Sequence, residues 1–242
     1  ILGNTLELIA KKKIGALTDK TEIICSVKQP KSIKNIFESR ATKQGKKIHF
    51  SPTSNSSMLK LKYLKGSHQI ENAQLAINVL KKIRPIYNVN LENVKKYISQ
   101  TFWPGRLQYI NNTPDIIFDV AHNESGIQAF SKYLECIYTN YSKKYLILGF
   151  EANKEIKKAL QILVDYFDKI TITETKIRHS MNAKNMKLLL SKPQQQRSEI
   201  KNIPQEAIAS NMSAMQKNDL LVILGSHYFG PHINTIFKNC FD

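Results

Sequence analysis

The spacing of apolar residues predicts alternating helices and strands. Apolar residues recur every three to four positions in Leu6–Ala10 and from Ile70 to Ile83, which is typical of amphipathic helices. Short apolar runs bounded by turn-forming residues predict buried strands. The predicted helices are Thr5–Lys13, Ile33–Gln44, Ser67–Ile83, Leu91–Ile98 and Ile127–Tyr138. The predicted strands are Glu22–Val27, Lys47–Phe50, Leu107–Ile110, Asp115–Val120, Tyr145–Leu148, Ile170–Thr173, Ile200–Ile203 and Leu220–Leu224.

A polar segment, Asn88–Gln100, separates two parts of this pattern. We therefore expect a domain boundary near residue 100, with domains at 1–99 and 100–242. Beyond the boundary a hairpin is predicted across Asn111–Pro114, and strands then alternate with helices. Alternation at this spacing predicts an α/β fold, in which a parallel sheet is covered by helices on both faces.

The loop after the strand Asp115–Val120 carries the first candidate chemistry. In open parallel sheets, ligands bind beyond the carboxyl ends of strands, where helix N-termini offer free N–H groups. Asp119, His122 and Asn123 would lie there together. The structural alternative is that Asp119 ends the strand and that Asn123 or Ser125 caps the following helix.

Four motifs occur in an order that resembles the folylpolyglutamate synthase/dihydrofolate synthase family, relatives of the Mur ligases. They are the Leu2–Gly15 segment, the G-S-H-Q-I-E-N-A stretch of Gly66–Ala73, W-P-G-R with D-V-A-H-N in Phe102–Asn123, and G-S-H-Y in Gly225–Tyr228. The resemblance implies the end of a P-loop-type ATPase domain followed by a Rossmann-like, mostly parallel ligase C-terminal domain. It also implies an ATP-dependent ligase that adds L-glutamate to a folate or dihydropteroate carboxylate through an acyl phosphate.

The resemblance also implies roles for individual residues. Asn72, Arg106 and Asp119 would hold ATP. An amide suits the edge of the adenine, a guanidinium suits the phosphates, and the Asp119 carboxylate would accept from the ribose hydroxyls. His122 and Ser226 would bind or orient the incoming glutamate. Each has a structural alternative: Asn72 as a helix-start residue, Arg106 as an exposed strand residue and Ser226 as a turn residue.

Magnesium is implied through Lys13, which is carbamylated in the resembled family. A carbamate offers anionic oxygen to a hard cation, whereas an amine does not. Lys12 stands where the family has Glu, and Asn153 and Glu155 replace two acids of a family loop in which Lys154 is retained. These departures, with His227, favour a degenerate, non-catalytic basic paralogue as one alternative. A UDP-muramoyl-peptide ligase of the same superfamily is the other.

Composition narrows the function classes. The chain of 242 residues has a formal net charge of +17, but its lysines are dispersed along the chain, so no specific nucleic-acid partner is predicted. The chain contains no apolar run long enough to predict a membrane span. Its three cysteines are scattered and predict neither a disulfide framework nor a zinc site. A cytoplasmic monomer is expected.

The chain itself is expected to be a fragment. Its opening segment resembles the middle of a fold, and none of its nine glycines lies in a G-x-x-x-x-G-K-[ST] phosphate loop. The resembled family carries that loop upstream.

Overall fold

The computed structural model describes residues 3, 5–51, 59–152 and 156–241, and these divide into two compact units. The first unit is the described part of residues 1–62 with 67–101, and the second is 63–66 with the described part of 102–242. The division falls between residues 101 and 102, whereas the sequence predicts it between 99 and 100. The assignment of the first unit to an ATPase-type domain stays a prediction.

Four helices and a two-stranded parallel sheet build the first unit. Its elements are α1 (Leu6–Ile14), β1 (Ile24–Ser26), α2 (Lys31–Lys43), β2 (Ile48–Phe50), α3 (Ser67–Tyr87) and α4 (Leu91–Ser99). Side-chain caps start two of the helices. The hydroxyl of Thr5 accepts from the Leu8 N–H, and the amide oxygen of Asn90 accepts from the Glu92 N–H. The core of this unit consists of small clusters, one of which joins Ile24 to Ile48 across the sheet.

A six-stranded sheet forms the centre of the second unit. Its strands are β3 (Gln108–Asn112), β4 (Asp115–Asp119), β5 (Lys144–Gly149), β6 (Lys169–Ile172), β7 (Ser198–Ile200) and β8 (Leu220–Gly225), in the order β3-β4-β8-β5-β6-β7. The hairpin β3–β4 is antiparallel, and every other pairing is parallel. The predicted α/β class with a mostly parallel sheet is confirmed.

Helices cover both faces of this sheet. They are α5 (Glu124–Glu135), α6 (Lys157–Val164), α7 (Ala183–Lys187), α8 (Lys192–Gln196), α9 (Pro204–Ala214) and α10 (Gly230–Ile236). Along β8, Val222 belongs to the core that includes α5 and α6, whereas Leu221 and Ile223 belong to the core that includes α9 and α10. Because both faces of β8 are buried, its sequence is apolar throughout rather than alternating.

Several boundaries differ from the sequence prediction by a few residues, and three of them have a clear structural reason. The strand predicted at Ile200–Ile203 lies at Ser198–Ile200, because its pairing partner β6 is short and Pro204 already begins α9. Helix α5 begins at Glu124 rather than Ile127, because Asn123 caps it. Leu107 precedes β3 instead of starting it, because its φ of 46° is incompatible with a strand. Most of the loop predicted at Ser51–Ser57 lies outside the described residues.

Candidate functional site

The carboxyl ends of three neighbouring strands lie along one edge of the large sheet. Asp119 at the end of β4 is opposite Leu224 of β8, and Gly225 of β8 is opposite Gly149 of β5. The loops that leave these strands therefore emerge at the same edge, where open α/β sheets bind their ligands.

Asp119 is buried at this edge and is already engaged by the backbone. Its Oδ2 accepts from the Leu107 N–H at 2.8 Å, and its Oδ1 accepts from the Ala121 N–H at 2.8 Å. Burial raises the pKa of Asp119 to about 6, although both N–H groups and the charge of Arg106 oppose this rise. The carboxylate thus joins the turn before β3 to the loop after β4.

The W-P-G-R segment forms a tight turn that presents Arg106 to solvent. Gly105 and Leu107, on either side of Arg106, have φ angles of 69° and 46°. The Gly105 carbonyl accepts from the Val120 N–H at 2.9 Å, and the Gly105 N–H donates to Gln108 at 2.9 Å. A Cβ on Gly105 would lie 2.6 Å from the Val120 side chain. The turn therefore requires glycine, and Arg106 is exposed at its tip.

His122 and Asn123, in the loop after β4, make different hydrogen bonds. The Asn123 amide oxygen accepts from the Gly126 N–H at 2.8 Å, which confirms that this residue caps α5. The half-buried His122 places Nδ1 2.9 Å from the Val120 carbonyl oxygen. Since a carbonyl can only accept, Nδ1 carries the proton, and Nε2 of the neutral ring is left as an acceptor.

Ser226 follows β8 at the same edge and is 2% exposed. Its hydroxyl accepts from the Tyr228 N–H at 3.2 Å and so caps a short 3-10 helix, His227–Phe229. This hydrogen bond corresponds to the structural alternative for Ser226. The predicted role toward glutamate stays a prediction.

An apolar cavity of about 370 Å³ lies beside the W-P-G-R turn in the second unit. Its lining includes Pro104, Phe118, Val120, His227, Pro231 and Phe241. The cavity is therefore bounded by the turn that carries Arg106 and by the residue that follows Ser226.

One cation at this edge had no counterpart among the sequence predictions. Arg178 has a φ of 50°, and its guanidinium carbon lies 5.9 Å from the centre of the Tyr228 ring. Backbone hydrogen bonds from Ala152 to His179 and from Met181 to Phe150 tie its loop to the end of β5. No motif marks this loop, and its only signal in the sequence is a basic residue shortly after a strand.

The remaining predicted residues lie in the first unit. Lys13 is exposed in the last turn of α1 beside Lys11 and Lys12. Asn72 is exposed near the start of α3 and donates to the Gln69 side chain at 3.2 Å. In the described part of the chain, no three His, Cys, Asp or Glu side chains gather into a possible metal site.

Some sequence predictions cannot be compared with the structure. Leu2 and Asn4 of the first motif, and Asn153, Lys154 and Glu155 of the loop after β5, lie outside the described residues. Among the helices that are described, none combines the length and apolar character needed to cross a membrane.

The family model described as "Mur ligase, glutamate ligase domain" matches residues 105–227, half of the chain. The chain is similar to the dihydrofolate synthase/folylpolyglutamate synthase of Bacillus subtilis strain 168, with 26% identity over 98% of this chain and 60% of that protein. It therefore spans less than two thirds of that relative's length.

Solved structures share the fold. Folylpolyglutamate synthase from Mycobacterium tuberculosis, complexed with ADP and AMPPCP, matches with a TM-score of 0.82 and 19% identity, covering 99% of this chain and 61% of that one. The bifunctional folylpolyglutamate synthase/dihydrofolate synthase from Yersinia pestis, complexed with AMPPNP and Mn ion, matches with a TM-score of 0.77 and 18% identity, covering 98% and 58%. The matched parts thus include both units.

Proposed function

Because the chain belongs to the Mur ligase family through its glutamate ligase domain, we propose that the whole protein is an ATP-dependent amide ligase. It would add L-glutamate to a folate or dihydropteroate carboxylate. Supporting the choice of substrates, the Bacillus subtilis relative is named for the dihydrofolate and folylpolyglutamate activities.

Amide formation from a carboxylate needs activation, because a carboxylate is a poor electrophile. In the proposed reaction an acceptor carboxylate oxygen attacks the γ-phosphorus of ATP, and ADP leaves. The glutamate amine then attacks the carbonyl carbon of the acyl phosphate, and phosphate leaves with one of the original carboxylate oxygens. The enzyme must bind the transferring phosphoryl group and neutralise the negative charge on its oxygens.

The observation that carries this proposal is the exposed guanidinium of Arg106 at the carboxyl edge of the sheet. It is presented by a rigid turn, and a permanently charged group with several donors suits a polyphosphate. Asn72 is proposed to contact the adenine, and Asp119 to accept from the ribose hydroxyls.

His122 and Ser226 are proposed to bind or orient the glutamate. With Nδ1 held by the Val120 carbonyl, Nε2 of a neutral His122 can accept from the glutamate ammonium, and a protonated ring can donate to a glutamate carboxylate. The Ser226 hydroxyl accepts from Tyr228 and keeps its own proton available for donation.

A magnesium ion is proposed to assist phosphoryl transfer by neutralising phosphate charge. The manganese in the Yersinia pestis structure supports a divalent ion in this family. Lys13 as a carbamate would supply one oxygen ligand. This fits its solvent-exposed position on α1. Cytoplasmic location and the monomeric state stay predictions.

The test is an assay of the full-length protein with Mg-ATP, L-glutamate and either dihydropteroate or tetrahydrofolate. We expect ADP release that depends on both other substrates, and a product heavier by one glutamate residue. Arg106→Ala should lower kcat/KM by roughly 10- to 100-fold, as for a lost charge-assisted contact. The control variant Arg84→Ala, on the exposed surface of α3, should not change it.

Other outcomes would identify the alternatives. Turnover only with a UDP-linked muramoyl peptide would assign the protein to peptidoglycan ligation and contradict the folate proposal. ATP binding without ligation of any acceptor would indicate the degenerate paralogue.

A further inference from the structure

We infer that Arg178 is a further binding residue for the incoming glutamate and that its guanidinium holds one of the two glutamate carboxylates. The inference rests on the proposed function, because glutamate must be the amino acid that reaches the edge of the sheet beside Ser226. It goes further by adding to the site a cation that no sequence motif marks.

The loop that carries Arg178 leaves β6 but crosses the end of the neighbouring strand β5. Backbone hydrogen bonds join this loop to the end of β5, and one of them runs from the Ala152 N–H to the His179 carbonyl at 2.7 Å. Because β5 lies between β6 and β8 in the sheet, the crossing brings Arg178 toward the segment that follows β8. Its guanidinium carbon lies 5.9 Å from the centre of the Tyr228 ring in that segment.

Several contacts hold this loop in place before any ligand binds. Nε2 of His232 lies 3.2 Å from the Thr175 carbonyl oxygen, which ties the start of the loop to α10. A carboxylate oxygen of Glu174 accepts from the N–H of Ala183, the first residue of α7, at 2.8 Å. Arg178 has a φ of 50° where the chain turns between these anchors. The backbone position of Arg178 is therefore set by the fold and does not depend on a ligand.

The charge of Arg178 is not neutralised by the part of the chain that the structure describes. The side chain is exposed, and no described carboxylate forms an ion pair with it. The face of the Tyr228 ring attracts the cation without accepting a conventional hydrogen bond from its N–H groups. The guanidinium can therefore present two parallel N–H groups to a carboxylate, a geometry that a lysine ammonium does not offer.

The place of Arg178 along the edge favours glutamate over the nucleotide. Tyr228 donates its N–H at 3.2 Å to the hydroxyl of Ser226, the residue proposed to bind or orient glutamate. Arg106, the residue proposed for the phosphates, lies in the turn before β3, and β4 and β8 separate β3 from β5. The two arginines therefore approach β8 from opposite sides. Since glutamate brings two carboxylates to the site, a cation on the amino-acid side has a partner of opposite charge.

Contact with the transferring phosphoryl group is the competing explanation, since phosphate oxygens also suit a guanidinium. The two explanations differ in how they depend on the charge of the amino acid. A residue that binds a glutamate carboxylate loses its effect when that carboxylate is replaced by an amide. A residue that binds phosphate keeps its effect with every amino acid.

The experiment is steady-state ligation by the full-length protein, with Mg-ATP and either dihydropteroate or tetrahydrofolate as acceptor. Arg178→Ala should raise the KM for L-glutamate by roughly 10- to 100-fold, as for a lost charge-assisted contact, and the KM for ATP by less than about 3-fold. Arg178→Lys, which keeps the charge but not the paired donors, should fall between the wild type and Arg178→Ala. The matched control is Lys176→Ala in the same loop, also exposed and with a φ of 55°, which should change both KM values by less than about 2-fold.

A second measurement uses L-glutamine and L-isoglutamine, the γ- and α-amides of glutamate, as competitors of L-glutamate. For the amide that lacks the bound carboxylate, Arg178→Ala should change the inhibition constant by less than about 3-fold, which identifies the carboxylate that Arg178 holds. Equal losses for glutamate and both amides, or an unchanged KM for glutamate in Arg178→Ala, would overturn the inference while leaving the proposed function intact. A wild type that ligates no glutamate would overturn both.

Discussion

Gly225 lies opposite Gly149 where β8 and β5 end, and neither position has room for a side chain. A Cβ on Gly225 would lie 2.4 Å from the Gly149 carbonyl oxygen, and one on Gly149 would lie 2.5 Å from the Phe229 ring. Gly225 also has a φ of 126°. This pair fixes the exit of the chain toward Ser226.

Gly225→Ala should therefore destabilise the full-length protein strongly. The unfavourable φ alone costs roughly 1–3 kcal/mol, and the clash with backbone adds to it. A fall in the thermal unfolding midpoint of several degrees is expected. Gly230→Ala is the control, because a Cβ there meets only Phe241 at 3.9 Å in a helical backbone. Equal midpoints for both variants would show that the strand ends are not as tightly packed as described.

The buried carboxylate of Asp119 should make stability depend on pH. An ordinary Asp in the unfolded chain has a pKa near 3.9, whereas burial raises the pKa of folded Asp119 to about 6. Between these values the folded protein retains a proton that the unfolded chain releases. The raised pKa thus stabilises the folded protein by roughly 2–3 kcal/mol below about pH 4. This stabilisation is lost as pH rises through about 6.

The comparison that isolates this effect is the free energy of unfolding of wild type and Asp119→Asn at several pH values. The free energy of unfolding of Asp119→Asn should increase relative to that of the wild type as pH rises from 4 to 7. Asp19→Asn, which alters an exposed carboxylate, serves as the control. A constant difference between wild type and Asp119→Asn would show that Asp119 ionises as easily in the folded protein as in the unfolded one.

His122→Ala should affect glutamate more than ATP in the full-length enzyme. The ring is anchored through Nδ1 and offers Nε2, and loss of one charge-assisted hydrogen bond corresponds to a rise in KM for glutamate of roughly 10- to 150-fold. The KM for ATP should change by less than about 3-fold. His232→Ala is the matched control, since that ring also contacts a backbone carbonyl, that of Thr175. If the KM values for glutamate and ATP are both unchanged in His122→Ala, the loop after β4 has only a structural role at the end of the strand.

Much of the fold follows from local patterns. Apolar runs located the strands of the second unit, and the strand-helix alternation predicted their parallel pairing. The position of β8 between β4 and β5 could not be predicted in this way, because apolar spacing reports burial and not which strand lies alongside.

The candidate site was likewise predictable only where a local pattern in the sequence marks it. The loop from Asp119 to Asn123 was located by its place after a strand, and the Asn123 cap by its residue type. The Leu107–Asp119 hydrogen bond and the loop of Arg178 depend on contacts distant in sequence, and nothing in the local sequence indicates them.

The most direct test of the proposed ligation follows an oxygen atom. The acceptor is prepared with ¹⁸O in its carboxylate and is incubated with the full-length protein, Mg-ATP and L-glutamate. If the reaction passes through an acyl phosphate, each inorganic phosphate released carries one oxygen from that carboxylate. Phosphate that contains no ¹⁸O while the amide product accumulates would contradict the mechanism proposed for this chain.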